Sequence, residues 1–134
     1  MTAPRQPRAL IGPLLIAVGA VHVGLTPILY GDAVRSVLEA GVVGSIEADP
    51  EQSRLRGLGF WYATAGVGML ALGAVVTSVE GQTRTPPASL PWVLAGIGAW
   101  GVVVMPVSPF WVFPVLAGVT VVRRRRRPAP TPET

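Results

Sequence analysis

Apolar residues along the chain gather in four runs that are separated by shorter polar segments. The runs cover residues 9–30, 55–79, 92–107 and 109–122. A helix needs about 20 apolar residues to cross the hydrocarbon core of a bilayer, so the first two runs are long enough and the last two are near the minimum. A cleaved signal peptide is the competing interpretation of the first run, but its length and the later runs argue against it. The pattern predicts an all-α integral membrane protein that forms a four-helix bundle.

The segment between the first two runs has a different periodicity. Its apolar residues recur at i, i+3, i+4 and i+8, which is typical of one face of a helix. These residues are Val34, Val37, Leu38 and Val42. We expect a short amphipathic helix there, capped by Asp32, that lies in the membrane interface between helices one and two. Asp49 followed by Pro50 then predicts the capped start of the second long helix near Pro50. The first turns of this helix, with Arg54 and Arg56, should stand above the hydrocarbon.

Composition supports lipid as the surrounding solvent. The chain has 134 residues, of which 50% are hydrophobic and only 13% are charged. Soluble domains carry about 25% charged residues, so this chain has too few to cover a water-exposed surface. We therefore predict one four-span domain over residues 1–122, followed by a basic, Pro-rich tail over residues 123–134. The absence of cysteine in the sequence excludes disulfides and thiolate catalysis.

The net charge of +4 depends on one run of five arginines at residues 123–127, and the remainder of the chain carries −1. Arginine at the end of a membrane helix anchors it on the cytoplasmic side. Arg5, Arg8, Arg84 and this run together predict a multi-pass protein of the inner (plasma) membrane with both termini in the cytoplasm. The partners are then membrane lipids. Nucleic acid is not expected, because no aromatic residues alternate with the arginines.

Glycine spacing predicts how the helices pack. Gly59, Gly66 and Gly73 are seven residues apart and therefore share one stripe of the second long helix. In lipid, helices associate by close approach through small residues. Gly12 and Gly19 provide a similar stripe on the first helix. On the third helix, Ala95 and Ala99 form a small-residue patch, and Gly98 and Gly101 adjoin it. The same glycine-rich faces would also suit a homo-oligomer.

His22 is the one ionisable residue in the middle of the first run, a position where such residues often serve function. A neutral imidazole there can donate a hydrogen bond to another helix, which is a structural role. A proton relay or a hydrogen bond to substrate is the functional alternative. We predict no metal site and no cofactor, because the chain has no second histidine and no cysteine.

The acidic loop after the first run supplies the other candidate catalytic residues, which are Glu47, Asp49 and Asp32. Glu47 has no evident structural role. A carboxyl group held near the mouth of an apolar bundle would keep its proton and act as a general acid. The alternative is a solvated loop residue. Aromatic rings around such a cavity would bind a hydrophobic molecule and stabilise a developing cation. The candidates for substrate binding are Tyr30, Trp61, Tyr62, Trp100 and Trp111.

Three short motifs carry a resemblance to a known family. They are His22 with Thr26, the sequence Gly-Phe-Trp-Tyr over residues 59–62, and the sequence Pro-Val-Ser-Pro-Phe-Trp over residues 106–111. Together they resemble a family of small bacterial four-helix integral membrane proteins of unknown function. The resemblance implies a four-span fold and carries no catalytic residues over to this chain.

Two further similarities are looser. In its combination of aromatics and a carboxyl group, the chain is similar to small membrane-bound bacterial terpene cyclases, which protonate a prenyl chain with a carboxylic acid. It also resembles small multidrug-resistance transporters in size, but their hallmark glutamate in the first helix is absent here. We therefore hypothesise a lipid-embedded site for a hydrophobic small molecule, with acid-catalysed isoprenoid cyclase or isomerase chemistry. The alternative is a non-enzymatic small transporter or accessory membrane subunit.

Overall fold

A computed structural model describes residues 10–83 and 85–125 and is all-α over these ranges. The elements are α1 (Ile11–Leu29), α2 (Gly31–Glu39), α3 (Ser53–Thr83), α4 (Leu90–Val104), a 3₁₀ helix (Pro109–Trp111) and α5 (Val112–Arg125). The arginines at positions 5, 8, 84, 126 and 127, on which much of the predicted orientation depends, lie outside the described residues, as does the rest of the C-terminal tail.

The predicted cap of the short helix is wrong. Asp32 lies in the first turn of α2, and Tyr30 occupies the N-cap position without a side-chain hydrogen bond. The reason is that α2 follows α1 almost directly, so the chain has already re-entered helical geometry before Asp32. Asp49 makes the hydrogen bonds expected of a cap: its Oδ1 accepts from the Glu51 backbone N–H at 2.9 Å, and its carbonyl oxygen accepts from the Ser53 N–H at 2.9 Å. The regular helix α3 begins at Ser53, three residues later than the predicted start at Pro50.

Two helices, α1 with 19 residues and α3 with 31, are long and apolar enough to cross a membrane. Only 28% of the residues in the most apolar stretch of α1 are buried, and only 17% in α3. The helix α4 is also apolar but has 15 residues. At a rise of 1.5 Å per residue it is about 22 Å long, less than the thickness of a typical hydrocarbon core.

The described residues form two compact units. The first unit comprises residues 12–75, and the second comprises residues 10–11, 76–83 and 85–125. In the first unit α1 and α3 run antiparallel, and α2 with the following loop packs on the start of α3. In the second unit α4 and α5 form an antiparallel hairpin.

Glycines bring α1 and α3 into backbone contact, as the seven-residue spacing predicted. A Cβ atom added at Gly73 would lie 2.7 Å from the Ile16 backbone nitrogen. A Cβ added at Gly19 would lie 2.8 Å from both the Gly66 carbonyl oxygen and the Leu70 nitrogen. Real Cβ contacts are not this short, so the two helices could not approach so closely if these residues carried side chains.

Glycines also set the contact between α4 and α5. The Cβ position of Gly98 is occupied by the Pro114 ring, and that of Gly101 by the Phe110 ring. The predicted small-residue patch consists of Ala95 and Ala99, but Ala99 is exposed in the structure. The two glycines that were expected only to adjoin the patch are the residues that contact the partner helix.

The second unit contains a buried carboxylate that the sequence pattern placed in a loop. The helix α3 continues through Glu80, whose exposed fraction is 4%. Its carboxylate accepts backbone hydrogen bonds from Leu10, at 3.2 Å, and from Ile11, at 3.5 Å. An Arg123 Nη1 lies 3.9 Å from the same carboxylate. Glu80 therefore supplies negative charge at the start of α1, where the helix dipole favours it, and pairs with the end of α5.

Replacement of Gly73 by alanine should destabilise the first unit by about 1–3 kcal/mol, the usual penalty for overpacking. The added methyl group would press on backbone atoms of α1, which cannot rotate away. The matched control is Gly68→Ala on the same helix, where no atom lies within 4 Å of the added Cβ. Thermal unfolding in detergent, followed by circular dichroism, measures both variants. Equal midpoints for the two would contradict the packing of α1 on α3.

Candidate functional site

An apolar cleft of about 220 Å³ lies within the first unit. Residues from α1, α2, the loop after α2 and the start of α3 form its walls. The lining residues are Thr26, Ala33, Val34, Val37, Leu38, Val42, Ile46, Arg56, Gly59, Phe60 and Ala63. Most of these side chains are aliphatic or aromatic, and Arg56 is the only charged residue among them.

The amphipathic pattern of α2 explains the apolar wall. The residues Val34, Val37 and Leu38 all line the cleft, so the helix presents its predicted apolar face to it. A Cβ at Gly59 would lie 2.8 Å from the Ala33 Cβ, which shows how closely α2 approaches α3. Leu38 is still 64% exposed. The apolar face of α2 is thus only partly covered, and the cleft is open on that side.

Arg56 is the charged residue among those that line the cleft. Its exposed fraction is 8%, although it lies in the first turns of α3. The Nε donates to the Ser36 hydroxyl at 2.8 Å, and Nη1 donates to the Ser45 carbonyl oxygen at 2.6 Å. Both acceptors are neutral, and within the described residues no carboxylate forms an ion pair with Arg56. A buried arginine is normally paired, because burial of an uncompensated charge is unfavourable.

The loop over the cleft is strained. Val42 has a φ angle of +64°, a backbone conformation that β-branched residues rarely adopt. Its carbonyl oxygen accepts a hydrogen bond from the Ser45 hydroxyl at 2.8 Å, and Ser45 in turn is held by Arg56. Strained residues that lie on a cavity wall and are held by buried hydrogen bonds are found mostly at functional sites. Hydrogen bonds through Ser45 thus connect the strained part of the loop to Arg56 on α3.

Three of the predicted site residues come together beside the cleft. The His22 ring stacks on the Tyr62 ring, with centroids 3.9 Å apart and planes inclined by 16°. The Tyr30 ring lies 5.0 Å from the Tyr62 ring. None of the three lines the cleft, but Thr26, one turn after His22, does. The Thr26 hydroxyl donates to the His22 carbonyl oxygen at 3.3 Å.

The remaining predicted site residues lie elsewhere on the surface. Glu47 and Asp32 are exposed, Asp49 is half-buried, and none of these three carboxylates lines the cleft. The predicted aromatic residues outside the His22 cluster are mostly exposed, by the following fractions: Trp61 68%, Trp100 74% and Trp111 56%. The rings of His22, Tyr30 and Tyr62 therefore lie together in the structure. None of the three predicted carboxylates is part of this cluster.

Sequence reasoning missed Arg56 as a site residue. The sequence pattern predicts that Arg54 and Arg56 both stand above the hydrocarbon. Of the two, only Arg54 is exposed in the structure. One signal was available, since Arg56 is the only charged residue inside the second apolar run. The contacts with Ser36 and Ser45 have no sequence signature, because both residues are ordinary loop and helix serines.

The chemistry available at the cleft follows from its lining. Apolar walls accept a hydrocarbon group. The lining contains no carboxyl group that could act as an acid. Over the described parts of the chain, no three His, Asp or Glu side chains come together as metal ligands.

The fold and the cleft define an all-α protein with two helices able to cross a membrane and an apolar site beside one buried arginine. A comparison with protein families matches residues 6–127 to a family of unknown function, DUF6463. The match covers most of the chain, so the protein belongs to this family. No curated protein and no solved structure matches it.

Replacement of Val42 by asparagine should stabilise the loop, because asparagine tolerates the left-handed conformation that valine adopts only at a penalty of about 1–2 kcal/mol. Val43→Asn is the matched control, since Val43 is 93% exposed and does not have a positive φ angle. Chemical denaturation in detergent should show a higher midpoint for the variant at position 42 than for the control. The reverse order would contradict the strained conformation.

Proposed function

We propose that the protein is a multi-pass membrane protein in which α1, α3, α4 and α5 all cross the bilayer. Exposed large apolar side chains support this, because a soluble monomer rarely exposes wide apolar patches. Val21 is 61% exposed, Trp92 80% and Val103 79%. The apolar stretches of α1 and α3 are mostly unburied, whereas a core helix of a soluble protein would be mostly buried. The lipid would cover these faces.

Contacts in the second unit support the proposed topology. Glu80 at the end of α3 binds the first residues of α1 and Arg123 at the end of α5. Arg124 donates to the Pro86 carbonyl oxygen, just before α4, at 2.6 Å. These four helix ends therefore lie together, as four antiparallel crossings require. Arginine at this end would place it, and both termini, in the cytoplasm.

The function we propose is binding of a hydrophobic small molecule in the cleft. The observation that carries this proposal is an open apolar cavity whose walls come from four segments of the first unit. Concave, mostly apolar sites with one or two polar groups are the usual form of small-molecule sites. The volume is below the roughly 300–1,000 Å³ of drug-sized sites, so the cleft suits a small molecule or one part of a long one.

Catalysis is not part of this proposal. An isoprenoid cyclase or isomerase would need an acid that reaches the bound chain. The predicted acids, Glu47, Asp49 and Asp32, do not line the cleft. Binding without turnover suits a non-enzymatic small transporter or accessory membrane subunit, the alternative considered from the sequence.

The topology can be tested by single-cysteine labelling, because the chain contains no cysteine. A cysteine at Val107, which is fully exposed in the turn between α4 and the 3₁₀ helix, should react with a membrane-impermeant maleimide added to intact cells. A cysteine at Thr131 in the tail should react only after the cells are opened. A cysteine at Val43 provides the positive control for the outer face. Protection of the cysteine at position 107 in intact cells would instead indicate a re-entrant hairpin.

Ligand binding can be tested with nitroxide-labelled methyl stearate, a neutral apolar probe. Electron paramagnetic resonance of the protein in phosphatidylcholine vesicles should show a saturable, immobilised fraction of this probe. Ala63→Leu fills the cleft and should weaken binding about tenfold or more, since a few methyl groups in an apolar pocket have effects of this size. Ala65→Leu, at an exposed position outside the cleft, is the matched control and should bind normally. Absence of a saturable fraction in the unmodified protein would exclude the proposed site.

A further inference from the structure

We infer that the ring cluster of His22, Tyr62 and Tyr30 binds the head group of a lipophilic quinone. This site is separate from the cleft, because none of the three rings lines the cleft. The inference rests on the proposed location of α1 and α3 in the bilayer. It is carried by three polar side chains that lie together at the surface of the first unit and have no hydrogen-bond partner among the described residues.

The three rings are in continuous contact from the middle of α1 to its end. The Tyr62 ring, on α3, lies 3.9 Å from the His22 ring and 5.0 Å from the Tyr30 ring, measured between centroids. Tyr30 follows His22 by eight residues, which corresponds to about 12 Å along a helix. One imidazole and two phenol hydroxyls, which all donate hydrogen bonds, are thus gathered in one place.

The polar atoms of the cluster are accessible and unpartnered. All three residues are half-buried. Over the described parts of the chain, no hydrogen bond involves the ring nitrogens of His22 or the hydroxyls of Tyr30 and Tyr62. None of these atoms is enclosed either, since the buried side-chain nitrogen or oxygen without a partner in the described structure belongs to Arg123. A molecule outside the first unit can therefore reach them.

The depth of His22 in the proposed bilayer restricts what that molecule can be. His22 lies near the middle of α1, which extends over Ile11–Leu29. Val21 and Leu25, close to it on the same helix, are exposed apolar side chains. The hydrocarbon core contains no water, and a polar group without a partner is unfavourable there. The partner of the imidazole therefore comes from the lipid and has a polar atom that can lie inside the hydrocarbon.

A quinone head group meets these requirements. It is uncharged, and its two carbonyl oxygens can accept hydrogen bonds from the imidazole N–H and from a phenol hydroxyl. Its flat ring can also pack against aromatic side chains, which favour stacked or edge contacts. The ester carbonyls of phospholipids lie in the interfacial region, outside the hydrocarbon core. They could reach Tyr30 at the end of α1, but not His22 in the middle of the helix.

The test measures binding of tritiated decylubiquinone to the protein in nanodiscs of ether-linked phosphatidylcholine, with empty nanodiscs to subtract partitioning into lipid. We expect a saturable fraction that unlabelled decylubiquinone displaces. Dodecylbenzene, which has a ring and a chain but no carbonyl oxygen, should not displace it. Absence of saturable binding, or equal displacement by dodecylbenzene, would overturn the inference.

Variants locate the bound head group. His22→Phe keeps a ring that can stack on Tyr62 but removes the N–H group, and it should weaken binding about tenfold, as expected when one polar group is left unpaired. Tyr62→Phe removes only a hydroxyl and should have a similar effect. His22→Gln returns an N–H donor and should restore part of the affinity. Normal affinity in folded His22→Phe and Tyr62→Phe proteins would contradict the assignment.

Thr64→Val is the matched control for the loss of a hydroxyl on α3. Thr64 is exposed and two residues from Tyr62, so the two side chains lie on different faces of the helix. This variant should bind decylubiquinone normally. A loss equal to that of Tyr62→Phe would show that the effect does not come from the ring cluster.

Competition separates this site from the cleft and from the lipid. Saturating methyl stearate should leave quinone binding unchanged, because the cleft and the rings are distinct; displacement would place the quinone in the cleft and contradict a second site. Affinity should also be the same in ester-linked phosphatidylcholine. Loss of binding there would assign the donors to the ester carbonyls of the lipid. Failure of quinone binding together with the expected cysteine labelling would overturn this inference and leave the proposed topology intact.

Discussion

The backbone contact between α1 and α3 is the constraint on which the rest of the first unit depends. It exists because Gly19, Gly66 and Gly73 have no side chains where the two helices meet. At the bilayer location that we propose for these helices, there is little gain from hiding apolar groups, and close packing of this kind would supply the stability. The His22 ring can stack on Tyr62 only because Gly66 lets the two helices approach at that level.

Two charged side chains are buried among the described residues, and they have different surroundings. In the second unit, the Glu80 carboxylate is opposed by positive charge, from the start of α1 and from Arg123. In the first unit, Arg56 contacts only neutral oxygens in the described structure and lines a cavity. The first arrangement is what a structural contact requires. The second holds a buried charge by hydrogen bonds to neutral groups from α2 and from the loop after it.

The cleft also explains the strained loop after α2. Gly41 and Gly44 adopt positive φ angles easily, but Val42 between them does so at a penalty. Its side chain lines the cleft, so an easier residue such as glycine would remove part of the apolar wall. Arg56 and Ser45 hold the loop in place. Binding geometry and loop stability therefore depend on the same few hydrogen bonds.

Much of the helical architecture could be predicted from the sequence. Apolar runs predicted the long helices of the described residues, and the glycine repeat predicted close helix packing, because both are properties of local spacing. Which helix packs on the glycines of α3 was not predicted. Helix ends were less predictable, since the neighbouring chain decides where a helix starts. Asp32 has the chemistry of a cap but lies in the first turn of α2. Asp49 lies in the turn before α3. Glu80 was assigned to a loop because nothing local shows that the start of α1 and Arg123 lie beside it.

The low content of charged residues and the apolar periodicity follow from the sequence by itself, and they already predict an all-α chain with long apolar helices. The candidate site does not follow from it. The sequence supplies Arg56 as one arginine in an apolar run, next to an exposed arginine of the same type. Only the tertiary structure buries it, directs it to Ser36 and Ser45 and places it on the wall of a cavity. Burial and charge compensation depend on residues distant in sequence, and for that reason they were decided by packing.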